Sequence, residues 1–94
     1  MLIEIHSIDC KLLSGEIDSA IFPGSDGSFQ VLSNHAPIVS ALAKGKIEIQ
    51  GEISFHAEDS RGKYNINKEK KATSLQIESG LVELKKNSIK VLID

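Results

Sequence analysis

Apolar residues recur at every second position along most of this chain, a spacing that fits strands and not amphipathic helices. In "KIEIQ", Ile47 and Ile49 oppose Lys46 and Glu48. In "EISFHA", Ile53 and Phe55 oppose Ser54 and His56; in "SIKVLID", Ile89, Val91 and Ile93 oppose Lys90 and Leu92. "EIDSAIF" places Ile17 and Ile21 on a face with Leu13, and "LIEIHSI" and "SLQIE" follow the same rule. β-Branched residues dominate these runs, which suits a pleated, half-buried surface. The expected core is Ile3, Ile5, Leu13, Ile17, Ile21, Val31, Ile47, Ile49, Ile77, Val82, Leu84, Ile89 and Val91.

Turn formers punctuate the runs at Ser14-Gly15, Pro23-Gly24, Asp26-Gly27, Lys44-Gly45, Gly51, Arg61-Gly62, Ser79-Gly80 and Lys86-Asn87-Ser88. "LKKNSIK" reads as a tight hairpin between Leu84 and Ile89. The only helix candidate, "PIVSALAKG", is bounded by Pro37 and Gly45 and is read as extended or irregular. Many short strands with frequent turns predict an all-β fold: a two-layer, mainly antiparallel β-sandwich of about ten short strands. Its 94 residues make one domain, 1–94. Residues 51–73 are expected to form a long polar hairpin or loop. Within them Tyr64 and Ile66 alternate with Asn65 and Asn67 as a short exposed strand, and "KEKK" is a solvated turn.

Function classes fall away in turn. A net charge of −2 gives no basic field for nucleic acid or an anionic membrane. No apolar run approaches the ~20 residues that span a bilayer, and "MLIEIHSIDC" has no basic region leading into a long apolar one. Cys10 is the only cysteine, so no disulfide forms within the chain. His6, His35 and His56 are scattered, with no metal-ligand spacing, and no glycine-rich phosphate loop or GxSxG is present. Cys10, Asp26 and His35 are the residue types of a nucleophilic trio, but nothing in their spacing joins them; Cys10 reads as an inert core thiol. Small all-β domains also include biotinyl and lipoyl carriers, which present a lysine at a hairpin tip between apolar neighbours. Here the lysines sit in polar runs ("KKN", "KEKK"), so a carrier and a free-standing protein-binding sandwich stand as the alternatives.

The stretch "PGSDGSFQVLSNHAP" is unusual: turn formers surround Phe29, Val31 and Leu32, and His35 stands just before Ala36-Pro37. Phe29 and Val31 face either a partner or the sandwich interior; if they face the interior, strand parity turns Leu32 outward. With its flanks, "KLLSGEIDSAIFPGSDGSFQVLSNHAPIVSALAKGKIEI" resembles the N-terminal domain of the ATP synthase epsilon subunit family, called delta in mitochondria. Leu13-Ser14-Gly15, Pro23-Gly24, Gly27-Ser28-Phe29, Val31-Leu32, His35-Ala36-Pro37 and Gly45 fall in register with the family pattern, as does "IESGLVELKKNSIKVLID". Two departures touch the loop: Gln30 stands at a usual glycine, and Ser33-Asn34 at a usual Pro-Gly. Asn34 is the best non-glycine residue for a left-handed position there.

The resemblance implies a ten-stranded sandwich in the foot of the central stalk of a proton- or sodium-translocating F-type ATP synthase. It implies a non-catalytic rotor subunit that couples c-ring rotation to the gamma subunit, without catalytic residues, metal or cofactor. The expected partners are gamma and the c-ring. The expected place is the cytoplasmic face of the bacterial inner membrane, as a peripheral part of the F1 sector. By resemblance the c-ring-facing loop holds Asp26, Gly27, Ser28, Leu32, Asn34 and His35. The family's C-terminal helical hairpin has no counterpart in these residues, so neither ATP binding nor tail-type inhibition is expected of them.

Overall fold

The computed structural model describes residues 1–8, 10–55 and 66–94. Among them are nine strands and no helix: β1 (Leu2–His6), β2 (Lys11–Gly24), β3 (Gly27–Leu32), β4 (Ile38–Leu42), β5 (Gly45–Phe55), β6 (Ile66–Glu69), β7 (Ala72–Ile77), β8 (Gly80–Lys85) and β9 (Ser88–Ile93). The sheet runs β1-β9-β8-β4-β2-β5-β7-β6, with β3 added to β2 and β1 also pairing β2. Every pairing is antiparallel except β1 with β9. The sheet folds over so that both arms contribute to one apolar cluster, the two-layer all-β architecture that alternation predicts.

The strands are less uniform than expected, because β2 is 14 residues long and β5 is 11. Ser14-Gly15 and Gly51 lie inside these strands and are not turns. They mark places where backbones approach closely. A Cβ on Gly15 would strike the Glu52 carbonyl, and Gly51 stands opposite Ile17 with φ 151°. Arg61-Gly62 lies outside the described residues.

Two irregularities in β2 decide which side chains enter the core. The β1–β2 ladder steps from Ile5↔Leu13 to His6↔Lys11, which leaves Leu12 as an extra residue, and Leu12 and Leu13 are both fully buried. The β2–β5 ladder steps from Ile17↔Gly51 to Ser19↔Gln50, which leaves Asp18 extra. An extra residue reverses the parity of everything after it. Ile17 therefore faces inward, but the next inward residues are Ala20 and Phe22. This corrects the expectation for Ile21, which is only half-buried, while Phe22 is fully buried and packs against Phe29 with ring centroids 5.6 Å apart. The other twelve expected core residues are all buried.

One edge of β2 carries β1 along Lys11–Glu16 and β3 along Ser19–Gly24, so two strands meet end to end beside the Asp18 bulge. Met1 seals this junction. Its carbonyl accepts the Ile17 N–H at 2.7 Å, its side chain is buried, and its ammonium pairs with Glu16 at 2.7 Å.

The "KEKK" segment is the exposed β6–β7 turn, with Lys70 at φ 55°. Ile66 begins β6, but its side chain is buried, contrary to the expected exposed strand. Tyr64, Asn65 and His56 lie outside the described residues. "PIVSALAKG" yields β4, and "LKKNSIK" yields a two-residue hairpin with Lys86 at φ 50° and Asn87 at φ 60°. Two positive φ values define the type I′ turn that matches strand twist.

Candidate functional site

The stretch from Asp26 to His35 forms one strip along an edge of the sandwich. β2 turns into β3 through Ser25-Asp26, closed by the Gly24↔Gly27 pair. The Ser25 N–H donates to the Ala41 carbonyl at 3.0 Å, tying this turn to β4. From there β3 alternates. Phe29 and Val31 face the core, and Val31 is fully buried. Ser28, Gln30 and Leu32 face out, with Leu32 54% exposed. Among the described residues β3 pairs only with β2, so its other edge is open.

At the far end of β3 a second turn forms. The His35 N–H donates to the Leu32 carbonyl at 3.1 Å, and Asn34 sits at φ 67°. Positive φ at the third position of a four-residue turn is the type II requirement. That explains why Asn34 can stand where the resemblance expects glycine: asparagine tolerates the left-handed region better than other side-chain-bearing residues. The His35 ring turns back on its own backbone, with Nδ1 2.7 Å from the Ala36 carbonyl. A carbonyl only accepts, so Nδ1 carries the proton, and Nε2 is not engaged by this bond. Phe29, His35, Ile38, Val39 and Ser40 line a shallow cleft of about 270 Å³ between β3 and β4. Val39 on its rim is 68% exposed.

The six expected site residues thus fall into two groups. Asp26, Gly27 and Ser28 lie at one end of β3, and Leu32, Asn34 and His35 at the other, about 15–20 Å away at ~3.3 Å per residue. All six are exposed. Gln30 and Val39, which the expected set leaves out, are exposed beside it. Gln30 was legible, since it lies midway between Ser28 and Leu32 on the same strand parity. Val39 follows from the alternation of β4, in which Ile38, Ser40 and Leu42 are the more buried positions and Val39 and Ala41 face out.

Cys10 and Asp26 are not brought together. Cys10 precedes β2 and Asp26 follows it, so a 14-residue strand separates them. Cys10 is exposed, correcting the expectation of a core thiol; it sits in a polar turn where the Ser7 N–H donates to its carbonyl at 2.9 Å. Among the described residues no group of three or more His, Cys, Asp or Glu could hold a metal. No helix there is long and apolar enough to cross a membrane. Among the described residues the one carboxyl clearly displaced from its ordinary value is Glu4. Hydrogen bonds from Lys11 (3.2 Å) and then His6 (3.3 Å), with the Lys11 charge, hold it below the usual glutamate range.

Comparison with known proteins bears on the fold and the sequence of the whole chain. The chain spans 59% of the length of the ATP synthase epsilon chain of Leptospira interrogans, to which it is 41% identical over 92 residues, 98% of its own length. To the ATP synthase epsilon chain of Chlorobium limicola it is 36% identical over 81 residues, covering 86% of this chain and 74% of that one. Among solved structures it matches a chain from the cryo-EM structure of the Tetrahymena thermophila mitochondrial ATP synthase central stalk and c-ring. That match has a TM-score of 0.66 over 99% of this chain and 62% of that one; at 11% identity it speaks to fold alone. Residues 1–60 match the profile of the ATP synthase delta/epsilon chain beta-sandwich domain, and the chain belongs to that family.

Proposed function

We propose that this chain is a non-catalytic rotor component of an F-type ATP synthase, coupling rotation of the c-ring to the gamma subunit. Its place is the F1 sector at the cytoplasmic face of the bacterial inner membrane, where it is held through protein partners. The observation that carries this reading is the strip from Asp26 to His35 on a chain of this family. Leu32 is exposed beside a fully buried Val31, and the turn that follows is closed by hydrogen bonds. Torque needs a contact that does not slip. A backbone-closed turn on a packed sandwich loses little entropy on docking. The Asp26–Ser28 and Leu32–His35 ends bracket the outward face of β3, so all six residues are assigned to the c-ring side, with Gln30 between them.

The experiment is reconstitution with the cognate gamma subunit and c-ring. Co-purification of the three, and return of coupled ion pumping on adding this chain, are expected. Affinity for gamma is expected to fall only mildly as salt rises, because the net charge is small. Leu32→Asp is expected to abolish ring binding while leaving the fold intact. A chain that binds neither partner, or a Leu32→Asp variant that couples normally, refutes the assignment.

A further inference from the structure

A hydrogen bond reaches the strip from a segment 53 residues away. The Asn34 N–H donates to Oδ1 of Asn87 at 3.0 Å. Asn87 is the second central residue of the β8–β9 turn, at φ 60°. Its backbone is engaged as well, since its carbonyl accepts the Leu2 N–H at 3.1 Å. One residue therefore joins the β8–β9 turn, the start of β1 and the Leu32–His35 turn.

The turn alone does not call for this side chain. The second central position of a type I′ turn takes glycine most readily. Asparagine adds what glycine lacks, an acceptor that reaches across to another segment. The Leu32–His35 turn uses the His35 N–H for its own closure, and the Asn34 N–H goes to this outside partner. The neighbouring exposed residues sit on the same β2 edge: Leu2 pairs with Glu16 and Leu32 with Ser19, and each leucine is 54% exposed.

We propose that Asn87 is a positioning residue for the docking strip: its Oδ1 fixes the attitude in which Leu32 and His35 are presented, making the β8–β9 hairpin part of the docking surface. This rests on the rotor reading above. Asn87→Gly keeps the turn and removes only the acceptor, whereas Asn87→Asp keeps an acceptor oxygen and tolerates positive φ.

The test measures Asn34 amide exchange by NMR in the free chain, and affinity for the cognate gamma–c-ring subcomplex. In Asn87→Gly the Asn34 amide is expected to lose its protection. Ring affinity is expected to fall about fivefold, the scale of one lost hydrogen bond, with a cooperative unfolding transition retained. Asn87→Asp is expected to restore both. Unchanged Asn34 exchange in Asn87→Gly overturns the inference, and so does changed exchange with wild-type affinity. A wild-type chain that does not bind the subcomplex overturns the rotor reading and this inference together, whereas a bound wild type matched by Asn87→Gly overturns the inference alone.

Discussion

Gly51 stands opposite Ile17 so closely that a Cβ added to it would lie 2.8 Å from the Ile17 Cβ and 2.9 Å from the Glu16 carbonyl oxygen. With φ 151°, Gly51 meets strain and collision together. Gly51→Ala is expected to cost about 2–3 kcal/mol. Gly27, at φ 126° but with open space where a Cβ would go, separates the two effects. Gly27→Ala is expected to cost only about 1 kcal/mol. Urea unfolding of both variants checks the difference; equal costs would mean the close approach at Gly51 contributes nothing.

The Asp18 bulge predicts an asymmetry between neighbours. Phe22→Ala is expected to lose about 3–5 kcal/mol, because it empties a fully buried site. Ile21→Ala, at a half-buried position, is expected to lose about 1 kcal/mol. Paired denaturant curves that rank Ile21 above Phe22 would return the strand to uninterrupted alternation.

Thr73 is 2% exposed, and its hydroxyl has no hydrogen-bond partner among the described residues. Removing an unpaired buried hydroxyl relieves its desolvation cost. Thr73→Val is expected to be neutral or to stabilise by up to about 1–2 kcal/mol. A clear loss of stability on thermal or urea unfolding would show that the hydroxyl is used.

Glu4 predicts a pH dependence of defined sign. Its carboxyl is held below the ordinary range in the folded chain by Lys11 and then His6. As pH falls, the unfolded chain takes up the proton first, so acid favours unfolding. The stabilisation is fully present above the unfolded-state value and disappears as pH falls through the lower folded-state value. Stability curves of wild type and Glu4→Gln are therefore expected to differ above the ordinary glutamate range and to converge as pH falls through the lower folded-state value. A difference that grows toward acid would reverse the assignment.

Alternation was enough to mark Ile47, Ile49, Ile89 and Val91 as core and to place Leu32 outside, because β5, β9 and β3 keep strict parity there. It failed at Ile21, because an extra residue in one strand leaves no compositional trace; Asp18 looks like any outward acid. Ser14-Gly15 misled for a related reason. Glycine serves a turn and a close backbone crossing alike, and only the partner strand tells which. Asp26 and His35 were read as one loop because they are near in sequence, whereas the six extended residues of β3 push them apart. The Asn34–Asn87 bond was not legible, since it depends on how two distant turns converge.

The parallel pairing of β1 with β9 has a mechanical consequence. Leu2 lies beside Ser88 and His6 beside Leu92, so the first and last strands run the same way, side by side. Tension between the start of β1 and the end of β9 pulls them in opposite directions along their length. The hydrogen bonds between them are then loaded in shear and must fail together, not one at a time as in a peeled hairpin. Any chain attached beyond Ile93 would pull on the sandwich through this ladder, the geometry in which a small β domain yields least.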